Sequence, residues 1–277
     1  MIPPESPDTL RHASAGFRLL ASQEFTRCFG AEPWTDGRAF DEVMARAQEI
    51  TGGRGPNWIL ELPDRGRRIR IRPCRHGGIF GSWLGDRSWG PRRVLREFST
   101  WITLCRRKIP LVTPVFAISR RRGLFWHSAF ASIERDNARD GLAWLAENPT
   151  APQITAVCIA ISELARRLHD AGAIHGDLQI RNLLIGHEGC RLIDLDRTRV
   201  VEHVSPRQRV RELLRFARSL EKTGHGELAS RRYRALALSA YCGEDRRLRR
   251  SMMRWSQFEA LGLFRHRIAW RIGRLTR

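Results

Sequence analysis

The sequence predicts an α+β protein of two lobes. A small, mainly antiparallel N-terminal lobe spans residues 1–133, and a larger, mainly helical C-terminal lobe spans 134–277. Three patterns carry this reading. Arg68-Ile69-Arg70-Ile71-Arg72 alternates with the period of a strand, which puts the three arginines on one face. From Ile154 to Leu168, apolar residues recur at Ile154, Val157, Cys158, Ile161, Leu164, Ala165 and Leu168, which is helical spacing. Leu183-Leu184-Ile185 followed by Gly186-His187-Glu188-Gly189 and Arg191-Leu192-Ile193 reads as a hairpin.

Residues 1–35 carry Pro3, Pro4 and Pro33 with little periodicity, so this segment is expected to be partly mobile. Gly52-Gly53-Arg54-Gly55 is a glycine turn that leads through Pro56 and Asn57 into a strand at Trp58-Ile59. Arg93-Val94-Leu95-Arg96-Glu97-Phe98 opens a helix that runs to about Leu104. Gly172 ends the Ile154–Leu168 helix, and Ala173-Ile174 leads into a loop. At the C-terminus Trp255, Phe258, Leu261, Phe264, Ile268 and Ile272 recur at three- and four-residue steps among Arg254, Arg265, Arg267, Arg271 and Arg274. Two readings of this segment stand: a helix lying in a membrane interface, or a helix packed on the large lobe with a basic outer face.

The chemistry lies in His175-Gly176-Asp177-Leu178-Gln179-Ile180-Arg181-Asn182 and in Leu192-Ile193-Asp194-Leu195-Asp196. Phosphoryl transfer needs a carboxylate beside the attacking hydroxyl and oxygen ligands for the Mg²⁺ ions that bridge the phosphates of ATP. Asp177 is the candidate base, with Asn182 and Asp194 as metal ligands. Two short strands joined by a hairpin deliver an Asp, an Asn five positions on and an Asp twelve further on to one place. The competing reading is an ordinary helix and hairpin in which Asp177 and Asp194 are turn residues.

A phosphate-binding lysine is missing. Lys108 and Lys222 are the only lysines, and neither lies on a suitable strand. Arg72 is the first candidate for that role and Arg70 the second, since an arginine reaches phosphate through a planar fork. Glu97 is the natural partner for Arg72, unless it is a surface carboxylate. Gly53, Arg54 and Gly55 are candidates to admit phosphate oxygens close to the backbone.

A formal charge of +20 calls for a polyanionic partner, either nucleic acid or an anionic lipid surface. No aromatic-basic ladder of a nucleic-acid module is present, so nucleic acid is not expected. No apolar run approaches the roughly 20 residues of a membrane span, and the N-terminus lacks the pattern of a secretory signal. The six cysteines are scattered without metal-ligand spacing, which points to reduced thiols in a cytoplasmic setting.

Taken together, these motifs resemble the lipopolysaccharide-core kinases that phosphorylate 3-deoxy-D-manno-octulosonic acid (Kdo). The resemblance runs from about Gly52 to Lys222. It includes Gly53-Arg54-Gly55, Ile71-Arg72-Pro73-Cys74-Arg75-His76-Gly77-Gly78, Arg96-Glu97-Phe98, Val112-Thr113-Pro114, His175 to Asn182, Leu192 to Arg197, and Glu212 to Leu220. Cys74, His76 and Leu195 depart from the family pattern without touching a proposed ligand. The resemblance implies a protein-kinase-like fold and ATP-dependent phosphorylation of the 4-hydroxyl of a Kdo sugar on a lipid A precursor. It also implies work at the cytoplasmic face of an inner membrane, as a peripheral protein on an anionic surface. Asp196 and Arg197 would then support the metal site or the acceptor sugar. Other acceptors such as a heptose, or a pseudokinase that binds polyanions, are the alternatives; the sequence sets no oligomeric state.

Overall fold

The computed structural model describes residues 9–30, 34–52, 55–62, 66–74 and 87–257. The sites expected at Gly53, Arg54 and Arg75–Gly78, and the C-terminal segment from Phe258 onward, lie outside the described residues. The chain divides into two compact units, Met1–Asn137 and Ala138–Arg277.

The first unit is built on an antiparallel sheet. Its strands are β1 (Thr9–Ser14), β2 (Phe17–Ser22), β3 (Gln48–Gly52), β4 (Gly55–Glu61), β5 (Arg68–Pro73), β6 (Arg87–Ser88), β7 (Pro114–Arg122) and β8 (Phe125–Ile133). They run in the order β1-β2-β7-β8-β5-β4-β3, with β6 paired to β8. One face carries Phe17, Leu19, Ile69, Ile71, Phe116 and Ile118, joined by Phe25 of α1 (Gln23–Phe29) and Val43 of α2 (Gly37–Arg46). This corrects the expectation for the N-terminal segment. Residues 9–29 form two strands and a helix, and Phe17, Leu19, Ala21 and Phe25 are core residues. The periodicity is hidden because β2 lies between β1 and β7 and is buried along most of its length, so it shows no polar alternation.

The opposite sheet face receives α3 (Arg92–Arg106). Val94, Leu95, Phe98, Trp101 and Leu104 form its buried stripe. Phe98 and Trp101 meet Phe130 of β8 at ring-centroid distances of 5.8 and 4.7 Å, and Trp101 Nε1 donates to the Val112 carbonyl at 2.8 Å. Burying this helix face and the aliphatic face of β5 fixes the register that sends Arg68, Arg70 and Arg72 toward the α3 side.

The second unit is mainly helical. It contains β9 (Ala138–Asp140), α4 (Gly141–Ala146), α5 (Ala151–Asp170), β10 (Ala173–Ile174), β11 (Leu183–Gly186), β12 (Gly189–Leu192), β13 (Arg199–Val200), α6 (Pro206–Lys222) and α7 (Arg231–Cys242), with helix again over 246–257. Gln153 Oε1 accepts from the Thr150 backbone N–H at 2.8 Å to start α5, and Gln208 Oε1 does the same for Ser205 at the head of α6. β11 is the middle strand of a three-stranded sheet between β12 and β9, and β10 pairs with β13. All six cysteines are free thiols. Among the described residues, no helix is long and apolar enough to cross a membrane.

Candidate active site

The loop begins where β10 ends. Gly176 has φ 76°, and a Cβ there would meet the Arg197 carbonyl oxygen at 2.6 Å, so only glycine fits. Leu178 and Ile180 are buried and anchor the next turn, a 3₁₀ segment over Ile180–Asn182. Gln179, between these anchors, donates from Nε2 to the Asp177 carboxylate at 2.7 Å. Asn182 is buried, and its Nδ2 donates to the Asp177 carbonyl at 2.8 Å. With the amide nitrogen committed there, Oδ1 is the side-chain atom left to accept. The Asn182 carbonyl accepts from Ile193 N–H at 3.0 Å, which ties the loop to the residue before Asp194. Asp194 itself has φ 92°, strained for a residue with a side chain, and its Oδ1 accepts from the Asp196 N–H at 3.2 Å. The structure thus brings Asp177, Asn182 and Asp194 into one connected loop system.

The sequence reading assigns no role to Glu212, yet it organises this loop. Glu212 on α6 is 2% exposed, and its two oxygens accept from the backbone N–H groups of His175 at 2.6 Å and Gly176 at 2.7 Å. Three and seven residues on, Arg215 donates to the Gly176 carbonyl and Ser219 Oγ accepts from Ile180 N–H at 3.2 Å. One stripe of α6 therefore grips three backbone positions of the loop. Behind it, His169 Nε2 approaches Glu212 at 3.4 Å, while His169 Nδ1 bonds the Tyr241 hydroxyl at 2.7 Å. Arg209 donates to Tyr241 at 3.2 Å and to Asp170 at 2.7 Å. The one available signal was a carboxylate, one of only two with Glu221, in a helix crowded with arginine.

The electrostatics follow from this burial. Desolvation raises the Glu212 carboxyl, but the His169 hydrogen bond and charge, with His175, outweigh it and leave Glu212 below its usual range. His175 moves the other way: burial lowers it more than Glu212, Asp194 and Asp177 raise it, so the imidazole is held neutral. Its Nδ1 accepts from the Asp177 N–H at 3.3 Å.

In the first unit, Arg72 pairs with Glu97 and its guanidinium lies 5.1 Å from the centroid of the Phe130 ring. Glu97 is 3% exposed and so is no surface carboxylate. Arg70 instead forms a two-pronged pair with Glu134, both contacts at 2.6 Å, and Arg68 pairs with Asp136. Gly55 opens β4 opposite Gly52.

Among the described residues, no cluster of three or more His, Cys, Asp or Glu side chains would cage a metal. The Asn182 and Asp194 oxygens nevertheless suit Mg²⁺, which keeps waters and substrate phosphates in its shell and needs only one or two protein ligands.

An antiparallel sheet unit followed by a helical unit with an HGD loop, a buried Asn and a hairpin Asp defines a small-molecule kinase of the protein-kinase-like α+β class. In keeping with that class, the model of the lipopolysaccharide kinase (Kdo/WaaP) family matches residues 75–241, and the chain belongs to that family. Two relatives carry the name 3-deoxy-D-manno-octulosonic acid kinase: one from Vibrio cholerae serotype O1, 30% identical over 73% of this chain and 83% of its own, and one from Xanthomonas oryzae pv. oryzae, 34% identical over 70% and 74%. Among solved structures, WaaP in complex with acyl carrier protein matches with a TM-score of 0.55 at 20% identity, covering 89% of this chain and 99% of that one, which is a likeness of fold.

Proposed function

We propose that this protein transfers the γ-phosphoryl group of ATP to the 4-hydroxyl of a Kdo sugar on a lipid A precursor, in assembly of the lipopolysaccharide inner core. The observation that carries the proposal is the connected Asp177–Asn182–Asp194 loop system in a chain 30–34% identical to relatives named as Kdo kinases. Asp177 orients the acceptor hydroxyl and takes its proton. Its neighbour Gln179 holds one carboxylate oxygen and so fixes the direction of the other. Asn182 and Asp194 are the residues that would hold Mg²⁺. Bound there, the ion would neutralise charge on the phosphate oxygens. Arg72, braced by Glu97, is the candidate phosphate contact of the first unit. The formal charge of +20 suits a peripheral protein at the anionic cytoplasmic face of the inner membrane.

The test is direct. Purified protein is incubated with MgATP and a Kdo-bearing lipid A precursor, and the lipid is weighed by mass spectrometry. One added phosphate on the Kdo, placed at the 4-position by fragmentation, is the expected result. Phosphate arriving only on a heptose-bearing acceptor would replace the substrate and keep the reaction. No transfer to any sugar acceptor would remove the kinase reading.

A further inference from the structure

The segment after Asp194 is stapled to the catalytic loop. Thr198 is buried, its N–H donates to the Leu195 carbonyl at 2.9 Å, and its hydroxyl donates to the His175 carbonyl at 3.3 Å. The residues on either side of it, Arg197 and Arg199, are exposed on the solvent side of the same segment. The Arg197 Cβ lies 3.2 Å from where a Gly176 Cβ would stand, immediately before Asp177. Arg199 is in register with Ile174, immediately before His175.

In a chain with 49 basic and 29 acidic residues, arginines without partners are expected, so the lack of a partner alone decides nothing. Position decides. Arg70, Arg72, Arg166, Arg191 and Arg209 each meet a carboxylate, whereas neither Arg197 nor Arg199 has a side-chain partner among the described residues. Both stem from backbone that the loop itself holds, so the points from which they leave the chain, next to Gly176 and Ile174, are as fixed as the loop. Arg215 is committed to the Gly176 carbonyl and Glu212. Two arginines rooted on a strap that the catalytic loop holds can offer planar guanidinium forks to a two-oxygen anion.

We propose that Arg197 and Arg199 form an acceptor subsite that recognises the carboxylate of the Kdo sugar. The inference rests on the proposed acceptor and explains how the site distinguishes an acidic sugar from a neutral one. The second source of an anion is a phosphate of the lipid A portion, and the test separates the two.

Two acceptors are compared, the Kdo-lipid and its carboxamide, with every lipid phosphate unchanged. Each is assayed by kcat/KM and, without nucleotide, by equilibrium binding. The wild-type protein is expected to favour the carboxylate by about tenfold or more in both readouts. In the Arg197→Gln/Arg199→Gln double variant that preference falls to within about twofold, while KM for MgATP is unmoved. Arg246→Gln/Arg247→Gln, on the helix over 246–257, removes the same charge and keeps the preference. A wild-type preference near one, or a full preference in the double variant, overturns the subsite. Equal weakening toward both acceptors assigns the arginines to lipid phosphate and overturns it too. Carboxylate-dependent binding without phosphorylation would sustain the subsite and sink the proposed reaction.

Discussion

Asp194 occupies a backbone conformation that side chains resist, with φ 92°, at a residue proposed to ligate metal. Strain of this kind separates stability from activity. Asp194→Gly and Asp194→Ala both delete the carboxylate, but only glycine relaxes the backbone. The glycine variant is expected to be more stable than the alanine variant by about 1 kcal/mol in denaturant unfolding, with phosphoryl transfer lost in both. Equal stability would mean the backbone there carries no strain. Arg72 and Glu97 offer a second contrast, because the Arg72 side chain is 28% exposed and that of Glu97 is 2% exposed. Arg72→Ala takes a guanidinium from a buried carboxylate and is expected to cost about 2 kcal/mol. Glu97→Ala leaves a cation that reaches solvent and costs less. The reverse order in urea titrations would contradict the buried-pair account.

The element that matters most beyond the loop is α6, whose stripe Glu212, Arg215 and Ser219 holds the loop backbone. Glu212→Ala would leave two N–H groups without their carboxylate acceptor. Its kcat is expected to fall about a hundredfold while KM for MgATP stays within about twofold, with Glu212→Gln partly restoring the rate. A KM effect with kcat preserved would point to nucleotide binding instead. This is also where the sequence was least informative. Asp177, Asn182 and Asp194 are legible because a single hairpin joins them, so their spacing is local. Arg72 and Glu97 are legible because strand alternation and helix phase each put them on a definite face. Glu212 acts 36 and 37 residues away through hydrogen bonds to backbone, and backbone donors leave no mark in a sequence. β2 was missed for a related reason: a strand buried on both faces loses the alternation that announces it.

For the whole molecule, His175 sets a pH dependence. Its folded-state pKa lies below the ordinary 6.5, so the unfolded chain takes up a proton that the folded protein refuses. Stability should therefore fall as pH drops below about 6.5 and continue downward toward the depressed folded value. The lowered carboxyls of Glu212 and Asp170 extend the loss into more acid solution, because their contribution is present above the unfolded pKa and vanishes as pH falls through the folded one. Chemical denaturation between pH 8 and 5 measures it, and a His175→Asn variant with the same slope would show that the proton uptake lies elsewhere.

Asp177, held by this loop, is the proposed base for the transfer. Asp177→Asn keeps the size of the side chain and removes the base. Measured in single turnover with MgATP and the Kdo-lipid, the variant is expected to bind nucleotide as the wild-type protein does and to transfer phosphate slower by a factor on the order of 10³. A transfer rate within tenfold of wild type, with nucleotide binding intact, would contradict the account.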